Sequence, residues 1–133
     1  GFPGVDEGAF ERTFTFLDPS PVTYLHVFPY SVRSGTTAAK LDGQVPAAAI
    51  TARARRLGAL GEAKRHAFGR RFDGARAEVL VETTRDPATG DLRGYTRNYL
   101  RARLAGPDAW MGRLASARVH AGARIRGTVE HVA

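Results

Sequence analysis

Apolar residues recur at helical spacing in two stretches of the chain and alternate with polar ones through most of the remainder. Phe10, Phe14 and Leu17 fall at i, i+4 and i+7 behind Asp6, a helix-capping residue, and predict a short amphipathic helix that Asp18-Pro19-Ser20-Pro21 ends. Thr23 to Phe28 then alternates, with Leu25 and Val27 on one side and Tyr24, His26 and Phe28 on the other, which predicts a strand. From about Pro46 to Phe72 a second helix is expected. Ile50, Ala54, Leu57, Gly61, Phe68 and Phe72 form its stripe; Lys64 lies within the stripe, where its stem can snorkel, and Arg55, Arg56 and Arg70 point away. Gly58 and Gly61 each cost about 1 kcal/mol of helix propensity, so tertiary packing has to hold this helix.

After Gly74 the texture changes to short strands separated by turn signals. Ala77 to Thr84 is the first, Asp86-Pro87-Ala88-Thr89-Gly90 a turn, Leu92 to Leu104 a second stretch, continuous or bulged, and Gly106-Pro107-Asp108 another turn. Arg113 to His120 and Arg124 to Val132 alternate again. Four or five short strands with glycines at the bends predict a small closed all-β barrel of the OB type, whose closure removes exposed strand edges.

The first 46 residues read differently. Loop, helix, turn, strand and loop make the second half of one βα unit joined to the next strand of a parallel sheet, the end of an α/β barrel. Loops at the carboxyl ends of barrel strands share the face that holds the site, so Gly1–Gly4 and Pro29–Thr36 are expected to be neighbours. The chain therefore divides into an α/β barrel remnant at 1–46, a basic linker helix at 47–73 and an OB-like barrel at 74–133. Because it opens at Gly1 on a loop whose preceding strand is missing, it reads as the C-terminal piece of a larger enzyme.

The net charge of +7 is unevenly placed. Residues 1–46 carry Arg12, Arg33 and Lys40 against five acids, a net of −2. Residues 47–76 carry eight basic residues against Glu62 and Asp73, a net of +6, and residues 77–133 carry nine arginines against six acids, a net of +3. An excess placed this way is expected if those parts meet a polyanion; a solvated basic surface without a partner is the lesser alternative. No apolar run approaches the roughly 20 residues of a membrane span. There is no cysteine, which excludes a disulfide, a thiolate zinc site or an iron–sulfur cluster built from these residues.

Three groups of residues carry candidate chemistry. Arg33, flanked by the hydroxyls of Tyr30 and Ser31, offers a planar fork to a carboxylate or phosphate, or simply caps a strand end. His26 is either a hydrogen-bonded residue facing a barrel interior or a ligand, and the Gly1–Gly4 loop leaves room for close backbone approach. Gly94 to Arg103 interleaves Tyr95 and Tyr99 with Arg97, Arg101 and Arg103, a pattern suited to stacking on unpaired bases while cations hold phosphates. The other reading makes the two tyrosines barrel filler. Trp110, Met111, His120 and His131 have no spacing that implies a metal, and are taken as packing or surface residues.

GFPG with an acidic amphipathic helix, LHVFPYSVRSGTTAA, and RFDGARAEVLVE with GYTRNYLRARL together resemble the C-terminal region of the radical S-adenosylmethionine methylthiotransferases over nearly the whole chain. In that resemblance residues 1–46 are the last part of the radical SAM barrel and residues 74–133 a TRAM domain, an OB-like RNA-binding module. Leu25 to Ser31 is most similar to the branch that modifies threonylcarbamoyladenosine beside the tRNA anticodon; Val5 stands where the family commonly has Glu.

The resemblance implies a cytoplasmic parent enzyme that uses S-adenosylmethionine and [4Fe–4S] clusters, with every cluster cysteine outside this chain and the chain alone inactive. It further implies that Gly1, Phe2, Pro3, Gly4 and Phe28 border the S-adenosylmethionine site and that His26, Tyr30, Ser31 and Arg33 line the substrate face. Arg93, Tyr95, Arg97, Asn98, Tyr99, Arg101 and Arg103 would contact the tRNA anticodon arm, and neither DNA nor a membrane is an expected partner. A non-catalytic RNA-binding module and a ribosomal-protein methylthiotransferase are the competing readings.

Overall fold

The computed structural model describes residues 1–121 and 125–133 and divides into two compact units, Gly1–Arg65 and His66–Ala133. Arg124, expected to open the last strand, lies outside the described residues.

In the first unit, helix α1 (Glu7–Leu17) begins as its sequence dictates, with the Asp6 carboxylate accepting from the Ala9 N–H at 2.7 Å. It ends where the Asp18 N–H reaches the Phe14 carbonyl, ahead of Pro19. Phe10 is buried, and Phe14 and Leu17 are half-buried on the same face. Helix α2 (Ala47–Arg70) contributes its residues up to Arg65 to this unit and the rest to the next. It stops two residues short of Phe72, in a turn that closes through the Phe72 N–H to the Gly69 carbonyl.

Three cations of α2 hold the first unit together. Arg53, 8% exposed, donates to Glu7 Oε2 from Nε and Nη2, at 3.1 and 2.9 Å, and to the Val5 carbonyl at 2.7 Å. Arg56, expected to point away from the apolar stripe, pairs instead with both carboxylate oxygens of Glu11 and lies over the Phe10 and Phe14 rings at 5.0 and 4.8 Å. Lys64 does snorkel, but its ammonium ends on protein rather than in water. It donates to the carbonyls of Asp18 and Ser20 just beyond α1, at 2.8 and 2.9 Å.

The strand expected at Thr23–Phe28 is not formed. Its alternation holds, with Leu25 and Val27 half-buried and Tyr24, His26 and Phe28 exposed. A strand, however, needs a partner for its backbone groups, and the described residues of this unit contain no second strand. The segment is an extended chain lying against α2, where Gly61 leaves room for it: a Cβ there would stand 3.1 Å from Leu25 Cβ. The sheet of an α/β barrel remnant is therefore absent from residues 1–46.

The second unit is a closed five-stranded barrel built from β1 (Arg76–Arg85), β2 (Leu92–Thr96), β3 (Arg101–Leu104), β4 (Leu114–Ala121) and β5 (Ile125–Val132), hydrogen-bonded in the order β1-β2-β3-β5-β4. All neighbours are antiparallel except β3 and β5, a closure that fits the expected OB-like barrel. The stretch Leu92–Leu104 is two strands rather than one, divided by a turn at 97–100. Val79, Val81, Leu92, Ala102, Leu104, Ala115 and Ala117 alternate inward to fill the core, and Trp110 and Met111 pack against it.

Candidate nucleic-acid interface

Because Leu92, Gly94, Thr96, Ala102 and Leu104 face the core, the residues between them face outward. Register places Arg93 opposite Arg103 and Tyr95 opposite Arg101, while Leu80 of β1 stands opposite Tyr95 on its other side. The parallel pairing puts Arg126 beside Arg103. Tyr95 is thus on the barrel's outside and is not core filler; the Arg101 guanidinium lies over its ring at 5.6 Å. Leu80, half exposed, extends this apolar patch, and its role was legible only once the register was known.

The arginines of this face are not equivalent. Arg103 is held in an ion pair with Asp86 at 2.6 Å. Arg85 is committed likewise, to Asp108 and to the carbonyls of Gly90 and Gly106. Arg93 donates to the Thr84 hydroxyl, and Arg101 has only the Tyr95 ring for a partner among the described residues. Arg93 and Arg101 are therefore cations of this face that a phosphate can engage without breaking a buried pair. Arg103 belongs to the framework that positions them.

At the end of this face, the β2–β3 turn is organised by the buried Thr96 hydroxyl, which accepts from the Leu100 N–H at 3.0 Å and donates to Asn98 Oδ1. Tyr99 sits at the tip with φ +61°, the one non-glycine residue in the left-handed region among those described, and its side chain is largely exposed. Arg97 reaches back to pair with Glu78 of β1 at 3.0 Å.

In the first unit, Phe2 and Tyr30 touch edge-to-face with ring centroids 5.5 Å apart, so the Gly1–Gly4 loop and the Pro29–Thr36 loop are adjacent. Tyr30 Oη is buried without a hydrogen-bond partner among the described residues. Ser31 and Arg33 are exposed, and among the described residues Arg33 is held through its carbonyl, which accepts from the Thr36 N–H and hydroxyl. His26 is exposed, not interior; it stacks on Phe28 and meets Tyr24 edge-on. Pro3 is buried, and the Gly4 N–H is already bonded to the Gly43 carbonyl. Phe2 and Val32 of these loops, and Phe28 just before the second, keep apolar surface exposed.

No family model matches the chain. Curated relatives do. It is 30% identical over 121 residues to the threonylcarbamoyladenosine tRNA methylthiotransferase MtaB of Bacillus subtilis, covering 90% of this chain and 27% of that protein. It is 36% identical over 112 residues to the tRNA-2-methylthio-N(6)-dimethylallyladenosine synthase of Clavibacter michiganensis, covering 84% of this chain and 21% of that one. Its homologues are tRNA methylthiotransferases. A third, the MtaB protein of Aquifex aeolicus, is 38% identical over 81 residues, which cover 61% of this chain and 20% of that protein.

The chain spans about a fifth to a quarter of the length of these methylthiotransferases. It has no cysteine with which to ligate a cluster, and no group of three or more His, Asp or Glu among the described residues could hold a metal ion. Among the described residues no helix is long and apolar enough to cross a membrane. What the described residues do offer, beside this kinship, is an arginine- and tyrosine-bearing barrel face.

Proposed function

We propose that this chain is the C-terminal part of a cytoplasmic tRNA methylthiotransferase that acts on threonylcarbamoyladenosine beside the anticodon, and that its barrel is a TRAM domain gripping the anticodon arm. The observation that carries the reading is the outer face of β2 and β3. Arg93 and Arg101 flank the outward ring of Tyr95 on a closed barrel whose homologues are named for modifying tRNA. Cations there supply salt-dependent attraction to phosphates, and the ring supplies a stacking surface for an unpaired base. The threonylcarbamoyl branch rests on the sequence Leu25 to Ser31.

In this reading S-adenosylmethionine and the [4Fe–4S] clusters supply the radical and sulfur chemistry of the parent enzyme, through residues outside this chain. Phe2 and Phe28 would meet the S-adenosylmethionine with apolar surface, and Tyr30, Ser31 and Arg33 would face the substrate. The chain alone would bind without reacting.

The test is equilibrium binding of a fluorescent tRNA anticodon stem-loop across a salt series, beside a double-stranded DNA control and the Arg93→Ala, Arg101→Ala variant. The reading expects preference for the stem-loop, a steep salt slope, and weakening in the variant. Equal binding to both nucleic acids, or no effect of the double substitution, would overturn it.

A further inference from the structure

Register places four outward side chains in one row across the barrel. Arg93 of β2 stands opposite Arg103 of β3, Arg103 beside Arg126 of β5, and Arg126 opposite His120 of β4. Three inter-strand steps of about 4.8 Å give the row a length of about 14 Å. We propose that this row is the path of an RNA backbone, which leaves the Tyr95 face over β3, crosses the parallel seam onto β5 and places its next phosphate on Arg126. The proposal rests on the RNA-binding reading above and adds to it a direction and a further contact.

The row selects its ligand by charge. Like charges directly opposite on neighbouring strands destabilise a sheet. Arg103 is paired with Asp86, but Arg93 donates to a neutral hydroxyl, and Arg126 is exposed with no ion pair among the described residues. An anion lying along the row relieves that repulsion. A phosphodiester strand carries charges that recur in a line, as the row's do, whereas a single carboxylate or phosphate fills one step of it. His120 and the Thr128 hydroxyl, 3.1 Å apart, add hydrogen-bonding groups beyond Arg126.

The direction follows from what lies on either side of Tyr95 and Arg101. Toward β1 the neighbour of Tyr95 is Leu80, and the neighbour of Leu80 on β4 is Leu114; both leucines are about half exposed and carry no charge. Glu78 and Glu82 stand two residues to either side of Leu80, and Glu82 has no ion pair among the described residues, so a phosphate taken that way meets like charge. Toward β5 the carboxylates are already paired, Asp86 with Arg103 and, farther along β5, Glu130 with Arg76 and Arg118. Past His120 the Asp73 carboxylate accepts from the Ala121 N–H, and there the row ends.

The experiment is binding of the fluorescent anticodon stem-loop across a salt series to the full chain, to Arg126→Ala, to Arg113→Ala and to Arg93→Ala, Arg101→Ala. Arg113 is exposed and immediately precedes Leu114, so its loss removes the same charge from the side the path avoids. Arg126→Ala should weaken binding about two- to five-fold, the range of an exposed ion pair, and make the salt slope shallower by about 0.7–0.9. Arg113→Ala should leave both nearly unchanged. Without RNA, Arg126→Ala should melt no earlier than the parent chain, because it relieves a like-charge contact. Equal losses for Arg126→Ala and Arg113→Ala, or no loss for Arg126→Ala, would overturn the path while the Arg93, Arg101 variant still shows the β2–β3 face at work. An earlier melt of Arg126→Ala with affinity intact would assign Arg126 to the barrel instead. No binding of the stem-loop, or none lost in the Arg93, Arg101 variant, would overturn the RNA reading and the path together.

Discussion

Asp86 and Arg103 meet at 2.6 Å with side chains only 11% and 17% exposed, and Asp86 also accepts from the N–H groups of Ala88 and Thr89. The pair therefore ties the β1–β2 turn to the middle of β3. Removing the cation while leaving the carboxylate in a mostly buried site should cost about 1–3 kcal/mol. Arg103→Ala is expected to lower the unfolding free energy by that amount, and the denaturation midpoint with it, whereas Arg93→Ala and Arg101→Ala, on the exposed surface, should leave both nearly unchanged and weaken RNA binding. Chemical denaturation beside the stem-loop assay separates the two classes, and a stable Arg103→Ala barrel that binds weakly would reverse the assignment.

The barrel's closure depends on Gly94, where a Cβ would stand 2.6 Å from the carbonyl oxygen of Leu80 and 2.6 Å from Val79 Cγ1. Backbone cannot give way there without disturbing the ladder between β1 and β2. Gly94→Ala is expected to destabilise the chain by about 1–3 kcal/mol, the ordinary range for overpacking, although alanine is the smallest possible addition. Gly58→Ala, where a Cβ meets nothing within 4 Å on a helix, should instead stabilise, by about 0.5–1 kcal/mol. Thermal melts of the two variants should move in opposite directions.

Hydrogen bonds from Arg56, followed by its charge, hold the Glu11 carboxyl below the ordinary glutamate range. A carboxyl whose pKa is lower folded than unfolded contributes stability above its unfolded pKa and loses it as pH falls through the folded value. The contact between α1 and α2 should therefore weaken on acidification from about pH 5 downward. Glu11→Gln should flatten that part of the profile, and high salt should reduce it, since the pair is exposed. Carboxyl NMR titration reads Glu11 directly, and a midpoint at or above that of a free glutamate would contradict the pairing.

What the sequence made legible, and what it hid, follows from the range of the interactions. The barrel was readable because each strand is bounded by local turn chemistry at Asp86–Gly90 and Gly106–Asp108, and because alternation marks its inner face. The division of Leu92–Leu104 was not, since it depends on the Thr96 side chain capping Leu100 and on Tyr99 accepting an unfavourable φ. The parallel pairing of β3 with β5 leaves no local trace at all. Charge was the least legible quantity. Arg53 and Arg56 counted toward a basic excess expected to meet a polyanion, yet they are consumed by Glu7 and Glu11, some 45 residues away in sequence. Thr23–Phe28 carried a strand's alternation, but a strand also requires a neighbour, which its own residues cannot specify.

Tyr99 separates stability from binding more sharply than any other position. In the left-handed region a residue with a Cβ costs roughly 1–2 kcal/mol that glycine does not. Glycine gives back part of this gain, roughly 0.5–1 kcal/mol, through the greater freedom of the unfolded chain. The Tyr99 ring is 76% exposed, so little packing is lost when it is removed. Tyr99→Gly is therefore expected to leave the melting temperature unchanged or slightly raised, while a base that stacks on the ring loses about 1–3 kcal/mol, a five-fold or greater fall in affinity. Tyr99→Phe should keep both the strain and the affinity. A Tyr99→Gly chain that melts earlier, with affinity for the stem-loop intact, would mean that the ring serves the turn and not the RNA, and the strain at its backbone would then be without a functional return.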